Sequence, residues 1–203
     1  MTFIDLILRS FFSPKAVLDY VVKMKLDWQI VMEAVLFVCI TNTLLTHTFN
    51  SFVFSASENQ DNLLNPYIDL VLNKPFVLAI IEVTKLFFIA ILLTYGGRLF
   101  SGFGSFLDIL KGVVWIHFIL IFINIGLFVV IQLNITFASY LVLLINFWIM
   151  WVLSECAVRT HGFKSTFRVF VVGILLLILV LALLIQLANG IGVNFLERVG
   201  SSA

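Results

Sequence analysis

Residues 112–153 read GVVWIHFILIFINIGLFVVIQLNITFASYLVLLINFWIMWVL, an apolar run containing no Asp, Glu, Lys or Arg. A helix crossing the hydrocarbon of a bilayer takes about 20 residues, with a range of about 17–25. The run is therefore two spans, Gly112–Ile131 and Ile135–Leu153. Between them stand only Gln132, Leu133 and Asn134, which leaves room for nothing but a tight helical hairpin.

Three more apolar stretches flank this pair: 28–50, 76–95 and 168–188. Together the five take about half of the 203 residues. Hydrophobic residues make up 62% of the chain and charged residues 11%, with a mean hydropathy of +1.17. A soluble domain carries roughly a quarter charged residues and has no means of hiding so much apolar surface. The fold class expected is an all-α polytopic membrane protein with five transmembrane helices. The expected division is an amphipathic segment at 1–27, a membrane domain at 28–189 and a short external tail at 190–203. The first residues lack a basic region and a cleavage site, so the N-terminus is read as retained.

The sparse charges orient the chain. Arg9, Lys15, Lys23, Lys25, Arg98, Lys111, Arg159, Lys164 and Arg168 lie in segments on one side of the spans, and Lys74 and Arg198 on the other. Nine against two places the N-terminus in the cytoplasm and the C-terminus outside by the positive-inside rule. The net charge of +1 gives no reason to invoke nucleic acid. Cys39 lies about 16 Å into the first span and Cys156 at the membrane edge, too far apart to be bridged.

Ahead of the first span come two amphipathic pieces. One carries Phe3, Ile4, Ile7, Leu8 and Phe11 at helical spacing. In the other, Ser13 is the expected N-cap, Pro14 takes the first helical position, and Val17, Leu18, Val21 and Met24 share a face. Two placements fit: in the headgroup plane with lysines toward anionic lipid, or packed against the end of the bundle.

Charged and polar groups inside spans are costly and face an interior or a cavity. Here they are Glu33, Asn42, Glu82, Lys85, His117, Asn124 and Asn146. Measured from the cytoplasmic ends at 1.5 Å per residue, Glu33 and His117 fall near ~8 Å, and Asn42, Glu82 and Asn124 near ~20 Å. Lys85 and Asn146 fall near ~12–15 Å. On depth alone these groups are expected to meet in layers, either as interhelical hydrogen bonds or as an ion pathway. Glu82 and Lys85, three apart on one helix, are positioned to neutralise each other.

No catalytic signature appears. The histidines at 47, 117 and 161 stand in separate segments with no metal-ligand spacing, so neither a metal nor a cofactor is expected. The run Gly96-Gly97-Arg98-Leu99-Phe100-Ser101-Gly102-Phe103-Gly104-Ser105 lacks the lysine of a phosphate-binding loop. It reads as a turn that stops one span and starts the next at Ser105 or Asp108, with an anion on its N–H groups near Arg98 as the competing reading. Lys15, Lys23, Lys25, Arg98, Lys111, Arg159 and Lys164 are the candidate contacts to lipid headgroups.

That glycine-plus-Ser-Phe turn, with Gly97, Gly102 and Gly104, resembles the corresponding segment of bacterial Yip1-domain proteins. The stretch Glu155 to Ser165, with its His161-Gly162-Phe163 core, resembles another segment of the same family, and Ser13-Pro14-Lys15 also fits. The resemblance implies five membrane helices, a cytoplasmic N-terminus and a non-enzymatic role toward lipid and other membrane proteins, including self-association. In a bacterial cell the expected location is the inner membrane. Eukaryotic members are linked to trafficking and small GTPases, but their Asp-Leu-Tyr-Gly-Pro-type motif is absent here, so their partner-binding residues have no counterpart to map onto. The residues leave three functions open: a membrane-organising or interaction protein, an accessory subunit of a membrane complex, and a small transporter using Glu82 and Lys85.

Overall fold

The computed structural model describes residues 2–55 and 74–190, and every element in it is an α-helix. In chain order these are α1 (Phe3–Phe12), α2 (Pro14–Lys23), α3 (Trp28–Ser55), α4 (Pro75–Leu99), α5 (Phe106–Leu133), α6 (Ile135–His161) and α7 (Thr166–Gly190). The last five are each long and apolar enough to cross a membrane, matching the all-α, five-span architecture expected. The segment joining the first two spans and the tail expected at 190–203 fall almost wholly outside the described residues.

Local chemistry writes the helix boundaries. Thr2 and Asp5 form a capping box at the start of α1. Pro14 has no N–H to donate, so it ends α1 and opens α2. Ser13 occupies the N-cap position of α2, but its side chain makes no capping bond. Its own N–H closes on the Arg9 carbonyl at 2.7 Å instead. At the start of α5 the Ser105 hydroxyl accepts from the Asp108 N–H at 3.2 Å. The hairpin between α5 and α6 is tighter than the three residues expected, because α5 runs on through Gln132 and Leu133. Asn134 alone makes the turn, donating its N–H to the Val130 carbonyl at 2.9 Å and capping the Phe137 N–H at 3.0 Å.

Two helices end in left-handed caps. In α6 the cap is Gly162, φ 75°, and the Val158 carbonyl accepts from the N–H groups of both Gly162 and Phe163. In α4 the left-handed position falls on Ser101, φ 63°, with Gly102 N–H on the Gly97 carbonyl and Ser101 N–H on the Arg98 carbonyl, each at 3.0 Å.

Between helices in lipid, close packing and hydrogen bonds replace hydrophobic transfer as the cohesive force. The principal core joins Val31, Val35, Val38 and Cys39 of α3, Leu86 and Ala90 of α4, and Ile109, Leu110, Val113 and Val114 of α5. Gly112 lets α5 close on α6, since a methyl group there would overlap Cys156 Sγ. Both cysteines are free and buried. Helix α7 leans on α6, with Trp151 against Phe170, and none of its described side chains is buried.

Helix α2 packs on α5 and α6, with Leu18 joining Ile116, Val152 and Cys156, and Val17 and Val21 meeting Trp115. Of the two placements open for the N-terminal segment, α2 therefore takes the packed one.

Candidate functional site

The end of the bundle that carries residues 22–28, 97–111 and 155–166 holds the densest polar structure. Its centre is His161. The imidazole lies on the glycine turn: Gly104 N–H donates to Nδ1 at 2.9 Å, and Nε2 bonds the Leu93 carbonyl at 3.1 Å. A carbonyl only accepts, so Nε2 carries the proton and the ring is the neutral tautomer that these two partners select. A methyl group at Gly97 or Gly102 would overlap the ring, and one at Gly104 would come within 2.8 Å of it. The Phe163 ring stacks on the outer side, centroids 5.4 Å apart.

The two motif segments are thus one structure in space. The three glycines make a cradle with the thickness of an imidazole, and His161 fills it. The N–H groups of Phe100, Ser101, Gly102 and Gly104 all donate within the protein, which leaves none of them for a phosphate. The sequence marked both motifs; only the fold shows that they are partners.

Around the cradle sit two ionic clusters. Lys111 is buried, with Nζ donating to the carbonyls of Val22 and Met24 at 2.8 and 2.9 Å and pairing with Asp108 at 2.7 Å. It staples the C-terminus of α2 to α5. The expectation that Lys111 contacts headgroups is corrected: its charge is spent on two helix-end carbonyls and one carboxylate. Arg159 bridges Asp19 of α2 at 3.3 Å and Glu155 of its own helix at 3.6 Å. The buried Glu155 also accepts from the Thr166 hydroxyl at 3.0 Å, which ties the start of α7 to α6. Arg159 is half-buried in this network. Lys15, Lys23, Lys25, Arg98 and Lys164 remain exposed.

The intramembrane polar residues do not form the layers that depth suggested. Asn42 does reach across, its amide donating to the His117 carbonyl at 3.5 Å, while His117 Nδ1 bonds the Val113 carbonyl at 2.9 Å. Glu82 and Lys85 pair with each other at 2.6 Å on one helix. They lie near enough to act electrostatically on both Cys39 and His117. Glu33, however, is exposed and bonded to Gln29 of its own helix at 3.1 Å. Asn146 is exposed too, its amide turned back on the Val142 carbonyl at 2.8 Å. Asn124 is partly exposed on α5. Depth along a span was readable from counting, but the direction each residue faces depends on how the helices are rotated about their axes.

Among the described residues no cluster of three or more His, Cys, Asp or Glu is arranged to hold a metal. Compared with known families, the chain matches the Yip1 domain over residues 8–187. No curated protein and no solved structure matches it.

Proposed function

The chain belongs to the Yip1 domain family, and from that premise we propose that it acts as a non-enzymatic membrane-organising or interaction component, or as an accessory subunit of a membrane complex. The observation that carries this reading is where its polar groups are spent. Glu82 and Lys85 neutralise each other on one helix, Asn42 joins α3 to α5, and the His161 cradle and Lys111 staple lock helix ends together. These are contacts that fix helix positions. The outer surface is apolar, with Leu36, Phe37, Ile40, Ile80, Phe88, Leu143 and Leu175 among its exposed side chains. Such a surface suits lipid and neighbouring helices.

The proposed location is a bacterial inner membrane with the N-terminus in the cytoplasm, supported by the nine-to-two distribution of basic residues. On that side Lys15, Lys23, Lys25, Arg98 and Lys164 are placed to meet anionic headgroups. Native mass measurement after gentle solubilisation tests the interaction reading. A discrete assembly, with itself or another membrane protein, is the expected result, and a bare monomer carrying only lipid refutes it.

The competing reading, a small ion pathway, rests on the Glu82–Lys85 pair beside His117. It requires proton or ion flux in reconstituted vesicles that Glu82→Gln abolishes. The expected result is flux equal to that of empty vesicles for both the wild type and the variant.

A further inference from the structure

Helix α1 presents three different stripes around its axis. Thr2, Asp5 and Arg9 form a polar one. Leu6 and Ser10 form a second, and they are the two buried residues of the helix. Ile4, Leu8 and Phe11 form a third, which Phe12 extends. At 100° per residue the polar and apolar stripes lie roughly 125° apart, with the buried pair on the remaining side. Most of the apolar stripe is uncovered among the described residues: Ile4 is 69% exposed, Leu8 56% and Phe12 86%, while Phe11 leans on Trp148.

The depth of α1 is set by what Ser10 and Phe11 touch. Trp115 Nε1 donates to the Ser10 hydroxyl at 3.0 Å, and Phe11 stacks on Trp148 with centroids 6.2 Å apart. Trp115 stands three residues inside the apolar run of α5, about 4.5 Å below its end, and Trp148 five residues from the end of the run in α6, about 7.5 Å below. The two tryptophans that α1 touches thus lie about 4.5 and 7.5 Å inside the ends of the apolar runs. The partner of α1, α2, climbs back toward Lys111 and Arg159 at the end of the bundle.

We infer that α1 is an in-plane helix seated in the leaflet on the N-terminal side, with lipid acyl chains as the occupant of the Ile4–Leu8–Phe11 stripe. Three observations favour acyl chains over a second protein surface. The depth matches the roughly 5–10 Å at which interfacial helices bury their apolar face. Phe3, next to Ile4 in the chain, joins the rings of Phe118, Phe122 and Phe37 on the spans, with contacting centroids 5.3–6.5 Å apart. Arg9 of the polar stripe and Lys15 of α2 are exposed basic side chains, suited to phosphates. The inference deepens the membrane-organising reading by naming the lipid-contacting element.

Nitroxide labels at Ile4→Cys, Leu8→Cys and Arg9→Cys test it in full-length protein reconstituted in phosphatidylcholine–phosphatidylglycerol vesicles. Both native thiols are buried, and all three labelled positions are exposed, so the labels probe seating without disturbing the core. Labels at 4 and 8 should collide with oxygen and resist a water-soluble nickel reagent, and the label at 9 should do the reverse. Equal nickel access at 8 and 9 would place α1 in water and overturn the inference. Spin–spin broadening at 4 and 8 that disappears on dilution with unlabelled protein would also overturn it, because a second copy would then cover the stripe. The native mass measurement is independent of these outcomes, so failure of the seating and failure of the interaction reading are separable.

Discussion

Adding one methyl group at Gly97 sets it against a ring that has nowhere to go. His161 is held at both nitrogens, by Gly104 N–H and the Leu93 carbonyl, and Gly102 and Gly104 line the same ring. Overpacking of a tight site costs about 1–3 kcal/mol. Replacing a helical glycine by alanine returns about 1 kcal/mol, so Gly97→Ala alone is expected to destabilise by about 0–2 kcal/mol. His161→Ala loses two hydrogen bonds worth about 0.5–1.5 kcal/mol each, and the buried Gly104 N–H is left without its acceptor. That variant should cost about 2–4 kcal/mol. With the ring gone, the alanine methyl has free space, so in the His161→Ala background Gly97→Ala should be neutral or stabilising by up to about 1 kcal/mol. The expected coupling between the two changes is therefore about 2 kcal/mol. Equilibrium unfolding of the four proteins in mixed micelles, followed by tryptophan fluorescence, measures it. If the two single effects add to within about 0.5 kcal/mol, as independent sites do, the cradle is not what the three glycines are for.

Other substitutions probe neighbouring features. Lys111→Met removes a charge-assisted donor shared by two carbonyls and Asp108, and should cost about 2–4 kcal/mol. It should open residues 23–27 to limited proteolysis before any span is cut, and unchanged cleavage there would count against the staple. Ser101→Gly relieves a left-handed serine and should stabilise by about 0.5–1 kcal/mol after the added chain entropy is subtracted; a destabilised protein would show that the serine side chain contributes something that its backbone angle conceals. Changing Lys15, Lys23 and Lys25 together to Gln should weaken binding to anionic lipid by about 1 kcal/mol per residue at low ionic strength. Equal affinity with and without the three lysines, read by lipid competition in micelles, would remove them from the headgroup set.

Most of the architecture was legible because lipid imposes a strict rule: each span must satisfy its own backbone and present about 20 apolar residues. One cap was legible too, since Ser105 acts within one turn of where it stands, whereas Ser13, in the position expected of a cap, makes no capping bond. The helices nonetheless outrun the apolar stretches, α6 reaching His161 where the apolar run stops at Leu153. Charged and polar residues continue a helix in the headgroup region as readily as apolar ones do inside it. What stayed hidden was rotational and long-range. Glu33 and Asn146 sit at plausible depths but face outward, and no count along one helix reveals its rotation against the next. Lys111 looked like the other interfacial lysines, and only the arrival of two carbonyls from α2 made it a buried staple. The pairing of His161 with Gly104 joins positions 57 residues apart, beyond the reach of any local pattern.

That separation has a consequence for biogenesis. When the glycine turn leaves the ribosome, the residue that completes it has not been made. At about 5–20 residues per second, the 57 intervening positions take roughly 3–11 s to synthesise. During that interval, while the third and fourth membrane helices are made, the hinge between the second and third lacks the ring that fills it. Arrival of the imidazole then acts as a latch, so the angle between those helices is settled by the emergence of the fourth.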